Sequence, residues 1–112
     1  MKTKLTHDDI ADILANAFWV GYTAFDAVDY DHDEYKEARA KLTEPCIEDI
    51  QAQMLLDGKK LMLLSEGKWH DLTLDNLTEA VERYGGLNPD EYDAEDYDAI
   101  LQLAVFGEIQ IG

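Results

Sequence analysis

Apolar residues recur at helical spacing in the first quarter of the chain, directly after a polar start. Thr6 followed by Asp8 and Asp9 predicts an N-cap with acids in the first turn, where they satisfy free backbone N–H groups and the helix dipole. From Ile10 to Val28 the apolar positions keep the i, i+3, i+4, i+7 spacing over about five turns. The pattern therefore predicts one long helix over this region.

This first helix is apolar on more than one side. Trp19, Val20 and Tyr22 lie outside the main apolar stripe to which Phe18 belongs. A helix that is apolar around its circumference is typical of a buried position. We expect a central helix, or one that offers Phe18, Trp19 and Tyr22 as a second face to another copy of the chain, which would make a homodimer.

Capping residues and glycines divide most of the remaining chain into further helices. The residue types Asp and Thr are favoured N-caps, proline is tolerated in a first turn, and glycine favours the position after the last turn. The predicted helices are one from Glu34 to about Leu42 capped by Asp33, one from Thr43 to Gly58, one from Thr73 to Gly85, and one from Asp93 to Gly107.

The pattern changes to that of strands after the third helix. KLMLL and KWHDL flank the turn Ser65-Glu66-Gly67, which predicts a β-hairpin over residues 60–72. Because an isolated hairpin is marginal in water, a third strand is needed, and the alternating residues 108–111 are the candidate. We predict an α+β fold in which four to five helices pack on a three-stranded antiparallel sheet.

Composition limits the class of protein. The chain has 112 residues, 46% of them hydrophobic, which suits a single acidic globular domain over residues 1–112. The formal net charge of −16 disfavours direct binding to nucleic acid or to an anionic membrane. The apolar runs at 15–21 and 100–107 are shorter than the roughly 18 residues of a membrane span.

Two further observations favour a cytoplasmic protein. No apolar stretch follows Lys2 and Lys4 before the acids begin, so no signal peptide is expected. Cys46 is the single cysteine and cannot form an internal disulfide, which agrees with a reducing compartment. Its place in a helical pattern predicts a small packed side chain.

None of the motifs that carry chemistry is complete. Asp29-Tyr30-Asp31-His32-Asp33 resembles the opening of a calcium loop, but the glycine and the bidentate glutamate that such a loop requires are replaced by Glu34 and Ala40. The three histidines lack metal-ligand spacing, and Ser65, the only serine, belongs to the predicted turn. We therefore expect no enzyme activity, no cofactor and no dedicated metal site.

Two acidic stretches are the feature that points to a partner. Residues 26–37, the first acidic segment, and residues 90–98, the second acidic segment, carry six carboxylates each and a single lysine, with tyrosines among the acids. Carboxylates at phosphate-like separations can imitate a nucleic-acid backbone and occupy the basic groove of a DNA- or RNA-binding protein. The residues expected to contact such a partner are Asp26, Asp29, Asp31, Asp33, Glu34, Asp90, Glu91, Asp93 and Asp98, together with Tyr30 and Tyr92.

A solvated face is the alternative explanation of this charge. Asp33, Glu34, Asp93, Glu95 and Asp96 are explained as helix caps or first-turn residues without any partner. The acids that capping does not require, and on which mimicry depends, are Asp26, Asp29, Asp31, Asp90, Glu91 and Asp98.

Two parts of the chain carry a resemblance. HDLTLDNLTEAVERYG (70–85) and DAILQLAVFGEIQIG (98–112) resemble segments of short acidic proteins of unknown function from prophages and other mobile elements. In size, acidity and helical character the chain is also similar to phage anti-restriction and anti-CRISPR inhibitors that act as DNA mimics. The resemblance implies a small non-catalytic inhibitor that binds a host nuclease or its DNA-recognition component, and it assigns no residue roles. The alternative is an interaction or homo-oligomeric assembly module whose charge serves solubility.

Overall fold

The computed structural model describes residues 4–19 and 24–110, apart from the side chain of Trp19. Within these residues the chain forms five α-helices and three β-strands. In chain order the elements are α1 (His7–Trp19), β1 (Ala27–Asp29), α2 (His32–Ala40), α3 (Ile47–Leu56), β2 (Leu61–Ser65), β3 (Lys68–Leu72), α4 (Leu74–Tyr84) and α5 (Ala94–Phe106). The predicted α+β class, with helices in the majority, is confirmed.

The hairpin predicted over residues 60–72 is present as β2 and β3. Leu61 pairs with Leu72 and Ser65 with Lys68, which leaves Glu66 and Gly67 as the turn. Both turn residues have positive φ, 51° and 77°, as a type I′ turn requires. Ser65 ends β2 instead of lying in the turn; its buried hydroxyl donates to the carbonyl oxygen of Ala24 at 3.0 Å.

The third strand comes from a different part of the chain than predicted. β1 pairs antiparallel with β2, with Val28 opposite Leu63, and the strand order is β1-β2-β3. Residues 108–110 do not belong to the sheet, so the strand predicted over 108–111 is wrong in its described part; Ile111 lies outside the described residues. The backbone N–H of Gln110 instead donates to the side-chain oxygen of Gln102 at 2.9 Å.

The first helix is also shorter than its periodicity predicted. α1 runs from His7 to Trp19, and Val28, which continued the apolar spacing, lies in the middle of β1. β-branched residues fit the pleated surface of a strand well, and the pairing of β1 with β2 outweighs the helical pattern.

The capping residues predict the starts of α4 and α5 correctly. The predicted starts of α2 and α3 are wrong. Thr73 and Asp93 cap α4 and α5, and Gly85 and Gly107 follow them with φ of 104° and 78°. By contrast, Asp31 instead of Asp33 caps α2. The predicted cap Thr43 lies before the start of α3, which follows Cys46.

Packing of the helices on one another forms the core. α1 packs on α3 and α5, α5 also packs on α4 and β3, and α2 packs on α3. Fully buried side chains from α1, α3, β2 and α5 belong to a common apolar cluster, among them Leu14, Met54, Leu63 and Leu101. The helices α2 and α5, which carry half of the acidic residues of the two segments, are therefore held by different neighbours.

Candidate partner-binding surfaces

Several acids of the first acidic segment are exposed, but two of them serve the backbone. Asp26, Asp29, Asp31 and Asp33 are exposed. Asp31 Oδ1 accepts from the backbone N–H groups of Asp33 at 2.9 Å and Glu34 at 3.0 Å, so the expectation that capping does not require Asp31 was wrong. Asp29 Oδ1 accepts from the backbone N–H of Tyr30 at 2.8 Å.

Tyr30 belongs to an aromatic group at the start of α2. Its ring stacks on that of Tyr35 with centroids 4.6 Å apart and contacts His32 edge-on at 5.6 Å. Burial, followed by the proximity of Tyr30, raises the pKa of Tyr35 above its usual value. Tyr30 remains half-buried and forms part of the surface next to Asp29 and Asp31.

Lysines lie near the first acidic segment and the region around α3. Lys59 Nζ lies 3.7 Å from Glu34 Oε2, and Lys41 Nζ lies 2.8 Å from Asp57 Oδ2. Partial burial of Asp57 opposes its ionisation, but hydrogen bonds from Lys41 and Gln53 outweigh burial and lower its pKa. Positive charges therefore offset part of the negative charge on this side of the protein.

The second acidic segment has no such compensation. Asp90, Glu91, Asp93 and Glu95 are exposed, and Asp96 is half-buried. In the described part of the chain, the ion pairs formed by lysines join Lys41 to Asp57, Lys59 to Glu34 and Lys60 to Asp71, and none of them reaches these five acids. Asp90, Glu91, Asp93 and Glu95 therefore face solvent, and no lysine of the described residues pairs with them.

Asp93 and Asp96 also organise the start of α5. Asp93 Oδ1 accepts from the backbone N–H groups of Glu95 at 3.0 Å and Asp96 at 3.3 Å. Asp96 Oδ2 accepts in return from the backbone N–H of Asp93 at 2.9 Å, which completes a capping box. The predicted cap is thus confirmed, and Asp93 lies exposed at the start of the helix.

Three tyrosines, two of them from the second acidic segment, pack against one another. Tyr92 contacts Tyr84 and Tyr97 edge-on, with ring centroids 5.5 Å and 5.9 Å apart. The Tyr92 hydroxyl donates to the carbonyl oxygen of Gly86 at 2.7 Å. Tyr92, predicted as a partner contact, is therefore half-buried and joins the loop after α4 to the start of α5.

Asp98 differs from the other acids predicted to contact a partner. It is only 8% exposed, and its Oδ1 accepts from the backbone N–H of Ala24 at 2.9 Å. Its Oδ2 accepts from the side-chain amide of Gln102 at 2.9 Å. Asp98 is therefore an internal hydrogen-bond acceptor that joins α5 to the chain just before β1, and it is not part of the exposed acidic surface.

The fold adds one acid that sequence reasoning missed. Asp12 on α1 is exposed and lies close enough to Tyr97 that its charge, after burial as the larger cause, raises the pKa of the Tyr97 hydroxyl. No local signal could have joined Asp12 to residues 90–98, because their proximity depends on the packing of α1 against α5. We call Asp12, Asp90, Glu91, Asp93 and Glu95 the acidic surface.

An apolar groove lies beside the first acidic segment. It has a volume of about 310 Å³ and is lined by Phe18, by residues 25–28 and by Ile47 of α3. Phe18, predicted to mediate self-association, is thus half-buried in the wall of this groove. The side chain of Trp19, and all of Val20 and Tyr22, lie outside the described residues.

Two kinds of feature are absent from the described residues, a cluster that could hold a metal ion and a helix that could cross a membrane. Three or more His, Cys, Asp or Glu side chains do not come together there as they would to hold a metal ion. No helix in that part of the chain has the length and apolar character needed to cross a membrane. The incomplete calcium loop opens with Asp29 and Asp31. The helix α2 already begins at His32, so Asp33 lies inside the helix.

Comparisons with known proteins give no relative. No family model matches the chain, and no curated protein or solved structure matches it.

The hydrogen bond between Tyr84 and Asp96 leads to a prediction on pH dependence. The Tyr84 hydroxyl donates to Asp96 Oδ1 at 2.5 Å, and this bond is the main cause that raises the pKa of Tyr84 from 10.0 to about 12 and lowers the pKa of Asp96. Because the folded state holds the Tyr84 proton more tightly, the stabilisation is complete below pH 10 and is lost as the pH rises to about 12. In Tyr84→Phe we expect lower stability at neutral pH and a shallower loss between pH 10 and 12, measured by urea unfolding.

Thr78→Val is the control for this measurement. It removes another hydroxyl hydrogen bond of α4, to the carbonyl oxygen of Leu74 at 2.7 Å, but no tyrosine, so this variant should keep the alkaline profile of the parent protein. An unchanged profile in Tyr84→Phe would show that the bond to Asp96 does not contribute to stability.

Proposed function

We propose that the protein is a non-catalytic acidic inhibitor that mimics nucleic acid and blocks a basic DNA- or RNA-binding protein. The observation that supports this proposal is the uneven distribution of charge. The five acids of the acidic surface come from α1 and from the second acidic segment, and lysine pairing in the described chain is confined to other carboxylates. A partner with a basic groove would meet a surface whose charge is not already neutralised.

The affinity of such a complex has the same physical origin as the affinity of nucleic-acid binding. A basic groove gains affinity when negative groups replace the small ions around it, and the gain falls steeply as salt is added. A protein with a net charge of −16 also approaches a basic partner faster than a neutral protein would. Exposed Asp90, Glu91 and Glu95 can provide this interaction without the loss of a capping hydrogen bond.

The proposal is tested by capture of partners from the source cell, followed by competition. A captured nucleic-acid-binding protein is purified, and its affinity for labelled duplex DNA or RNA is measured by fluorescence anisotropy with increasing amounts of this protein. We expect displacement of the nucleic acid, and an inhibition constant that weakens strongly between low and high salt. If the partner binds nucleic acid equally well at saturating inhibitor, mimicry is wrong.

A matched pair of triple variants assigns the effect to the acidic surface. Asp90→Asn, Glu91→Gln and Glu95→Gln together should weaken inhibition by at least about tenfold and reduce its salt dependence. Glu37→Gln, Glu44→Gln and Glu79→Gln remove the same total charge from exposed positions elsewhere and should change inhibition less than about threefold. An equal loss in both triple variants would mean that net charge alone acts and that the acidic surface is not the contact.

An assembly module is the second candidate function, and the apolar groove favours it. Phe18 lines that groove, and Ile47 at its edge is 45% exposed. In this case the protein joins copies of itself or another subunit through Phe18, Trp19 and Tyr22, and its charge serves solubility. Light scattering tests this second candidate, because an assembly module of this kind forms a dimer that persists at high salt.

A further inference from the structure

The apolar groove lies beside β1. β1 is the first strand in the order β1-β2-β3, and within the described residues it is paired on one side only. Consecutive side chains of a strand point to opposite faces of a sheet. The four consecutive residues 25–28 all line the groove. The groove therefore lies along the edge of β1 and not over one face of the sheet.

The groove also offers apolar contacts. Phe18 from α1 and Ile47 and Gln51 from α3 line the groove together with β1. An extended peptide in this position could pair its backbone with β1 and insert side chains between the strand and the two helices. This arrangement corresponds to strand addition, in which main-chain hydrogen bonds provide affinity and side-chain pockets provide specificity.

Charge decides which occupant suits the groove. Asp26 lines it, and Asp29 and Asp31 follow on the same exposed stretch of chain. A second copy of the protein would bring a second set of these acids to the edge, and like charges across paired strands are destabilising. An edge that carries charges in this way discourages self-pairing, while a basic strand meets charges of opposite sign.

We propose that β1 and the apolar groove bind an extended segment of a partner protein in which basic and apolar residues alternate, added as a fourth strand. Its apolar side chains lie against Phe18 and Ile47, and its basic side chains lie near Asp26 and Asp29. This site is separate from the acidic surface, so it does not rest on the inhibitor function and can be tested without it.

The test uses the full chain and a defined probe. The probe is a ten-residue peptide of alternating lysine and valine, acetylated and amidated at its ends and labelled for fluorescence anisotropy. We expect saturable binding at physiological salt, together with slower hydrogen exchange at the amides of residues 27–29. The same peptide with N-methyl groups on its two central amides, which blocks both of its edges, should bind at least about tenfold more weakly.

Two variants on one helix test the apolar wall. Ile47→Gln should weaken binding of the lysine–valine peptide by about five- to tenfold, as expected for an apolar contact in the centre of an interface. Leu56→Gln is the control, because Leu56 ends the same helix, is 36% exposed and is not among the residues that line the groove. It should leave the affinity within about twofold of the parent protein.

Charge and occupant are tested in the same assay. Asp26→Asn should weaken peptide binding by about threefold or more at low salt, whereas Asp33→Asn in the first turn of α2 should have a smaller effect. No binding up to millimolar peptide, equal binding of the N-methylated peptide, or exchange protection at residues 90–97 instead of 27–29 would each overturn the proposal. A dimer with protection at 27–29 in the absence of peptide would also overturn it, because the edge would then belong to a second copy.

Discussion

Leu101→Ala is expected to lower the free energy of unfolding by about 3–5 kcal/mol, which is the cost of removing a large side chain from a fully packed site. Leu101 is 0% exposed and lies in α5. That helix packs on α4, α1 and β3, and Leu101 belongs to the buried apolar cluster. Since a domain of this size has only about 5–15 kcal/mol of stability, the variant should lose a large fraction of it.

Urea unfolding followed by circular dichroism measures this loss. Leu56→Ala is the matched control, because it removes the same atoms from a helical leucine that is 36% exposed. We expect the control to lose less than about 1 kcal/mol. If Leu101→Ala lost no more than Leu56→Ala, α5 would not be the central packing element that the structure describes.

The elements that could be predicted from sequence are those that local chemistry specifies. Thr73 and Asp93 are residue types that cap the start of a helix. Gly85 and Gly107 can adopt the positive φ that ends each helix. Glu66 and Gly67 lie between two predicted strands at the spacing of a tight hairpin. In each case the residues that determine the boundary lie within a few positions of it.

The wrong predictions required information from distant parts of the chain. Val28 continues a helical pattern in sequence, but its strand is selected by pairing with Leu63, far along the chain. Ile109 alternates like a strand residue, yet β1 already occupies the available edge of β2. Asp29, Asp31 and Asp33 all qualify as caps by residue type, and residue type alone does not show that Asp31 caps α2.

The candidate sites also combine features that local sequence predicts with features that depend on contacts between distant residues. Exposure of Asp90 and Glu91 could be expected from a loop rich in acids, but the addition of Asp12 depends on the contact between α1 and α5. The apolar groove joins Phe18 to Ile47 and to the edge of β1, and none of these is near another in sequence. The sequence therefore predicts that net charge matters. It does not predict which acids lack a lysine partner among the described residues.

The acid with the largest effect on the fold is expected to be Asp98, which had been assigned to partner binding. Its carboxylate accepts from Ala24 N–H and from Gln102, and the oxygen of Ala24 accepts in turn from Ser65. Ala24 is thus held on both sides, by α5 through its nitrogen and by β2 through its oxygen. This double attachment fixes the chain two residues before the first acidic segment.

Asp98→Ala should lower the free energy of unfolding by about 2–3 kcal/mol, because it leaves buried donors without their charged acceptor. Asp98→Asn retains one acceptor oxygen for Ala24 and should lose less. Asp90→Ala, at an exposed position of the same acidic segment, should change stability by no more than about 0.5 kcal/mol. Urea unfolding at neutral pH compares the three variants.

Hydrogen exchange distinguishes a general loss of stability from the specific loss of this attachment. If Asp98 fixes the start of β1, amides 24–29 should exchange faster in Asp98→Ala under native conditions, beyond the increase at buried amides of α4. The lysine–valine peptide should then bind more weakly to this variant, although Asp98 does not line the groove. An equal increase of exchange across the whole protein would mean that Asp98 supports the core in general and does not position the edge of the sheet.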